Sequence, residues 1–353
     1  MPVELRTLTD GGQTPGDVAR ELAAFLGAAR TSLDIAVYDV RFETDAGAVV
    51  LATLLAAHQR GVTVRLAYNV DHPGPIPVPP PPRTAPEAIE ALPVETRAIP
   101  GVPDLMHHKY VVRDRTDVWS GSTNWTDDSW SRQENVIVRV PNAPALAYAF
   151  ALDFQELWET ARVDRSGRVE PRPVTLEDGV VVRPWFTPGY GESLSHRVAK
   201  FLGRARHRIR IASPVLTSGP ILATLVEVVK EQRCDVAGVI DETQVDEVFH
   251  QWATNGVSEW KIPLLHAILT GAPFSGKPST RWTPESLHDF MHAKVVVADD
   301  VAFVGSFNFP RSGERNAENV LEIHDAATAD GLAAFVDAAR TRYPATTPPS
   351  IEG

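Results

Sequence analysis

The sequence predicts an α/β protein of two similar halves, and three observations carry that prediction. Helix-like and strand-like segments alternate along the chain, the pattern of sheets covered by helices. The string FLGAAR followed by LDIA, at 25–30 and 33–36, returns as FLGRAR followed by IRIA at 201–206 and 209–212. A second pair, MHHKYVVRDRTDVWSGSTN at 106–124 and MHAKVVVADDVAFVGSFN at 291–308, repeats at an offset of 185 (292 − 107), against 176 (201 − 25) for the first. Such similar offsets over different elements mean that the whole chain is a duplication with small insertions. The expectation is two α/β sandwich halves related by a pseudo-twofold axis: residues 1–165, a linker over 166–178, and residues 179–353.

Taken in order, residues 3–8 read as a strand closed by the turn Asp10-Gly11-Gly12. Val18, Leu22, Phe25 and Leu26 recur at helical spacing within 15–29, and 33–37 is a buried strand. A helix over 47–59 ends at Arg60-Gly61, where glycine suits a helix C-terminus, and a strand over 62–68 follows. Residues 221–231 and 235–240 are their later counterparts. The run HPGPIPVPPPPRTAP at 72–86 can continue neither a helix nor a central strand, and is expected as an extended connector or as a rim beside the site. A strand at 136–140, a helix at 145–158 and the polar stretch 162–173 complete the first half; a strand at 180–186 and the turn Thr187-Pro188-Gly189 open the second. The insertion 246–287 carries Trp252, Trp260, Leu264, Leu265, Ile268, Leu269, Phe274 and Trp282, either as core or as an apolar wall beside His292.

The composition, 43% hydrophobic and 22% charged over 353 residues, is that of a globular protein. Neither a signal-peptide pattern at the start nor an apolar run of about 18 residues is seen, so the expected location is the cytoplasm, with peripheral membrane contact left open. The single Cys234 excludes an intrachain disulfide and a cysteine-rich metal site, and reads as a small buried hydrophobe. A net charge of −11 argues against a chain that tracks nucleic-acid phosphates along a basic stripe, although a local cationic cleft can sit in an acidic protein.

Both long repeats share one order of residues: His-x-Lys, four residues, Asp, a strand-like run, Gly-Ser-x-Asn, and later Glu-Asn-Val. The members are His107, Lys109, Asp114, Ser122, Asn124 and Glu134-Asn135-Val136, then His292, Lys294, Asp299, Ser306, Asn308 and Glu318-Asn319-Val320. On a strand, His and Lys at i and i+2 share a face, which can hold an imidazole and an ammonium side by side. This doubled pattern resembles the phospholipase D superfamily, the HKD phosphodiesterases, and the resemblance covers essentially the whole chain.

The chemistry these residues can perform is phosphodiester cleavage. One imidazole attacks phosphorus and forms a phosphohistidine while the other protonates the leaving oxygen. Lys109, Lys294, Asn124 and Asn308 would hold the non-bridging oxygens and Ser122 and Ser306 would bond near them, so that neither metal nor cofactor is required. The resemblance implies a cleft shared by both motifs in a monomer, and makes Glu134 and Glu318 the acceptors that fix the histidine tautomers. It groups Asp114 and Asp299 with the site, but their distance along the strand suggests a structural or cross-motif role. In many members of that family the N-terminal histidine is the nucleophile; nothing in this sequence separates His107 from His292. His108, alternate to His107, should point away from the site. The favoured substrate is a phospholipid or small diester, by hydrolysis or transfer. A nuclease is the alternative, with RARHRIR at 204–210 as its best cue, and an inactive binding module is a third reading.

Overall fold

The computed structural model describes residues 3–74, 78–309 and 313–348. The proline-rich residues 75–77 of the 72–86 run lie outside the described residues. No helix among those described is long and apolar enough to cross a membrane.

The first half builds a seven-stranded mixed sheet from β1 (Glu4–Leu8), β2 (Ser32–Val37), β3 (Thr63–Val70), β4 (Glu95–Pro100), β5 (Lys109–Arg113), β6 (Asp117–Gly121) and β7 (Asn135–Val140). Its order is β1-β7-β6-β5-β2-β3-β4. The second half contributes β8 (Val174–Thr175), β9 (Val181–Phe186), β10 (Arg208–Ser213), β11 (Asp235–Asp241), β12 (Phe274–Lys277), β13 (Val295–Ala298), β14 (Val301–Gly305) and β15 (Asn319–His324). Read from β9 inward, its order is β9-β15-β14-β13-β10-β11-β12, the same topology, with β8 added at the outer edge. The strand β8 falls within the expected linker 166–178.

Helices α1 (Pro15–Gly27) and α2 (Asp45–Gln59) cover the outer face of the first sheet, with α3 (Pro86–Glu90) and α4 (Asp127–Ser131) as short additions. Their starts are written locally. Thr14 and Asp17 form a reciprocal capping box with Pro15 at the first helical position, and Thr44 caps α2 through Gly47 N–H. Between the sheets lies α5 (Pro144–Thr160), whose Phe150 meets Phe186 of the second half edge-on at 4.9 Å between centroids. On the outer face of the second sheet pack α6 (Gly191–Arg204), α7 (Gly219–Lys230), α8 (Glu242–Asn255) and α9 (Ile262–Gly271), while α10 (Ala326–Arg342) joins α5 in the middle. Each sheet is therefore covered on both faces, which is why strands such as Val295–Ala298 are apolar throughout rather than alternating. Of the 246–287 insertion, Trp252, Leu265, Ile268, Leu269 and Phe274 enter the outer core of the second half, while Trp260 is exposed. The core reading holds for most of it.

Both β6 and β14 end in glycine for steric reasons. A Cβ on Gly121 would lie 2.1 Å from the Val136 carbonyl oxygen, and one on Gly305 would lie 2.1 Å from that of Asn319. Gly121 also has φ +145°, which L side chains rarely adopt. Gly121→Ala is expected to destabilise the fold by about 2–4 kcal/mol in urea unfolding; a loss below about 0.5 kcal/mol would contradict the close approach.

Candidate active site

The two halves are stitched together at their motifs by main-chain hydrogen bonds. His107 N–H donates to Ala317 C=O at 2.9 Å, and Ala317 N–H to Leu105 C=O at 2.8 Å. Reciprocally, His292 N–H donates to Glu134 C=O at 3.1 Å. Isolated parallel bridges, Met106 with Ala317 and Met291 with Glu134, mark the same crossing. Two side chains brace them: Asn69 Oδ1 accepts Met106 N–H and Asp241 Oδ2 accepts Met291 N–H, each at 2.9 Å.

This crossing brings the histidines face to edge, with ring centroids 6.4 Å apart and planes at 83°. Both are buried, and among the described residues His107 Nε2 has no hydrogen-bond partner. Lys109 and Lys294 are buried beside them, each ammonium donating to the carbonyl of its own motif's histidine, Lys109 to His107 at 2.7 Å. Tyr38, which follows β2, lies 4.7 Å edge-on to the His107 ring, with the Lys109 ammonium 4.9 Å over its own ring; its hydroxyl donates to Pro80 C=O. No motif flagged Tyr38, because its role depends on β2 being the parallel neighbour of β3 and ending beside Lys109.

The rings differ in what stands behind them. His107 Nδ1 lies 2.9 and 3.0 Å from the two carboxylate oxygens of Glu318, whereas His292 Nδ1 faces the amide oxygen of Asn135 at 3.1 Å. The expectation that Glu134 would serve His292 is therefore corrected. Its carboxylate touches Lys277 Nζ (2.8 Å), Asp10 N–H (3.2 Å) and the Tyr343 hydroxyl instead.

The cause is strand register. Glu134 and Glu318 each follow their glycine by thirteen positions (134 − 121, 318 − 305), but Gly121 pairs with Ile137 while Gly305 pairs with Val320. A one-residue slip on a period-two strand exchanges faces, so Asn135 takes the place that Glu318 holds in the other half. The serines follow the same equivalence. Ser122 Oγ donates to Asn135 Oδ1 at 2.7 Å and accepts Val136 N–H, whereas Ser306 bonds the Glu318 carboxylate and accepts Asn319 N–H. Both thus hold the partners of the histidines. Among the described residues the buried amide oxygens of Asn124 and Asn308 have no partner.

The grouping of Asp114 and Asp299 with the site is corrected too, while the structural role that their distance along the strand suggested agrees with their contacts. Each lies beyond the far end of its strand at φ 52° and 53°, five residues or about 16 Å of extended chain from its lysine. Asp114 accepts the backbone N–H groups of Arg30, Thr31 and Ser32, and Asp299 those of Arg206, His207 and Arg208. Both roles lie within their own half, tying a strand turn to the start of β2 or β10. His108 is buried away from the site, its Nδ1 at 3.3 Å from Asn319 Oδ1 and its Nε2 at 3.2 Å from Asp153. The RARHRIR run is partly neutralised, Arg208 pairing with Asp330 and Arg210 with Asp235 and Asp337.

Electrostatically the site is a buried cluster of basic groups. Burial pushes the Lys109 ammonium down to about 7, opposed by Glu318 and Asp39, and burial together with Lys109 holds Lys294 well below the ordinary lysine range. Burial, then the two lysines, holds both histidines well below theirs. Burial raises Glu318 to about 8 against the pull of Lys109 and Lys294. Four buried basic groups thus sit together, with Glu318 beside both lysines, Asp39 near Lys109 and Asp241 near Lys294, and a phosphate would add negative charge where the lysines meet. Among the described residues, no group of three or more His, Cys, Asp or Glu side chains could hold a metal ion.

The fold and its paired motifs define a class, the phospholipase D superfamily, and the chain belongs to it. The family model described as "Cardiolipin synthase, PLD-like domain" matches residues 22–158 and 198–338, one copy in each half. Mitochondrial cardiolipin hydrolase from Xenopus laevis is 30% identical over 151 residues, which cover 41% of this chain and 63% of that protein, so the match spans less than two thirds of the relative. The fold is also similar to the crystal structure of phosphatidylserine synthase from Haemophilus influenzae Rd KW20, at TM-score 0.64 and 13% identity, covering 97% of this chain and 85% of that one. Polyphosphate kinase from Porphyromonas gingivalis aligns at TM-score 0.56 and 12% identity, over 94% of this chain and 49% of its own.

Two outcomes test this description. An anion keeps Lys109 protonated, so binding takes up a proton above the free group's pKa, and sulfate affinity is expected to fall by up to about tenfold per pH unit above pH 7. Titration calorimetry across pH 6–9 measures it, and a flat affinity would contradict the assignment. Asp114→Ala should lower the melting temperature yet keep turnover per folded molecule within about threefold; a loss as deep as that of a histidine variant would return Asp114 to the site.

Proposed function

We propose that this protein cleaves phosphodiesters through a covalent phosphohistidine on His107, with His292 as general acid and then general base. The observation that carries the reading is the unequal backing of the two rings: a carboxylate behind His107 and a neutral amide behind His292. A deprotonated Glu318 accepts the Nδ1 proton of His107 and leaves Nε2 with a lone pair for in-line attack, and its charge stabilises the cation that phosphorylation creates. The Asn135 amide orients His292 and stabilises an imidazolium less than a carboxylate would, so the ring gives up its proton more readily than one backed by a carboxylate.

In the first step a bond forms from His107 Nε2 to phosphorus, the bond from phosphorus to the leaving oxygen breaks, and His292 supplies that oxygen's proton. In the second, His292 takes a proton from water or an alcohol, the resulting oxygen attacks phosphorus, and the phosphorus–nitrogen bond breaks. Lys109 and Lys294 balance the charge of the non-bridging oxygens in both steps, and the amide N–H groups of Asn124 and Asn308 donate to them. These donors can balance the charge of the five-coordinate state without a metal.

The proposed substrate is a phospholipid or a similar small diester. Support comes from the family model's description as cardiolipin synthase, from the cardiolipin hydrolase among the relatives, and from the net charge of −11. We propose hydrolysis or transfer by a monomer, in the cytoplasm or at a membrane surface. Asp114 and Asp299 are proposed as structural, and His107, Lys109, His292, Lys294 and Glu318 as the reacting and charge-balancing set.

The test offers phosphatidylcholine and cardiolipin vesicles, single-stranded DNA and bis-p-nitrophenyl phosphate in EDTA to wild type, His107→Ala and His292→Ala. Lipid cleavage, lost by at least about a thousandfold in either variant, is expected. DNA cleavage without lipid cleavage would replace the substrate class with nucleic acid. Full activity of either variant on the generic diester would overturn the mechanism.

A further inference from the structure

Lys277 closes β12 in the second half and is 2% exposed, yet its ammonium serves the first half. It donates to Arg132 C=O at 2.6 Å and to Glu134 Oε2 at 2.8 Å, and lies 3.2 Å from the Asp10 carboxylate. Tyr343, just after α10, brings its hydroxyl to Glu134 Oε1, which also accepts Asp10 N–H. Three separate stretches of chain, at Asp10, Lys277 and Tyr343, therefore converge on one buried carboxylate. That carboxylate belongs to the residue whose carbonyl accepts His292 N–H, and the next residue, Asn135, holds the His292 ring. Glu134 is fixed by its side chain on one face of the strand and fixes His292 from its main chain, a division of labour that the register slip creates.

A buried ion pair is a poor source of stability, since desolvation offsets most of the attraction. Its use lies in geometry: the ammonium is directed at both the Arg132 carbonyl and the Glu134 carboxylate, and so sets the path of residues 132–135 against the second half. We infer that Lys277 and Tyr343 are positioning residues for His292, acting through Glu134. The inference rests on the reading of His292 as the general acid. It assigns the brace to one histidine only, because in the other half Ala317 stands where Glu134 does and has no side chain to clasp.

The experiment compares Lys277→Met, Lys277→Arg, Tyr343→Phe and His292→Ala on two diesters in single turnover. One releases p-nitrophenolate, which departs without a proton; the other releases an alkyl alcohol, which needs one. A displaced acid should slow alcohol release on the order of tenfold to a hundredfold in Lys277→Met, and nitrophenolate release by less than about threefold. Lys277→Arg should recover most of the loss, and Tyr343→Phe should show the same leaving-group dependence at smaller amplitude. Equal losses on both substrates, or none, would overturn the inference. If Lys277→Met fails to fold, Tyr343→Phe decides, because it removes one hydroxyl and keeps the ring. His292→Ala separates the two readings: if it lacks the leaving-group dependence the acid assignment fails, and if it alone shows the dependence only the brace fails.

Discussion

The site depends on the exchange of main-chain hydrogen bonds between the halves, His107 to Ala317 and His292 to Glu134. Neither half can complete a site alone, because the group behind each histidine ring comes from the other half. Burial of α5 and α10 between the two sheets holds the halves in contact, and the crossing fixes the register of that contact to a single residue. The hydrophobic effect supplies attraction without direction, whereas the crossing hydrogen bonds supply direction with little net energy. Both are needed to hold two imidazoles at a working separation.

The second constraint is charge. Two lysines and two histidines are buried together, and desolvation depresses all four basic groups although Glu318, Asp39 and Asp241 oppose it at the lysines. A site in that state resembles a receptor for an anion whose charge completes it. It also explains why duplication need not give equal halves. In the proposed mechanism the same His-x-Lys strand end serves as nucleophile or acid according to whether a carboxylate or an amide stands behind the ring, and one residue of register sets which group stands there.

Much of this was legible in the sequence. The halves appear in the repeated FLGAAR and MHHK strings, and the elements over 15–29, 33–37, 136–140 and 145–158 follow from apolar spacing to within a few residues. The lysines and histidines are marked by the doubled motif. The difference between the Glu134 and Glu318 environments was hidden, because their spacing from Gly121 and Gly305 is identical and register is set by tertiary pairing. Tyr38 and Lys277 were hidden for a related reason. Each becomes significant only through strand neighbours that lie far away along the chain. The Asp114 and Asp299 turns show the opposite case: residues that belong to a recurring motif and yet bind backbone amides of their own half, with the Thr31 hydroxyl added at Asp114.

The most direct measurement is to quench a reacting mixture of enzyme and diester and locate the phosphoryl adduct by peptide mass mapping at neutral to alkaline pH. The account predicts the adduct on His107, lost in His107→Ala and retained on the same residue when His292 is changed to Ala and a p-nitrophenyl diester is supplied. An adduct on His292, or its persistence after His107 is replaced, would contradict the claim that the carboxylate behind the ring selects the nucleophile.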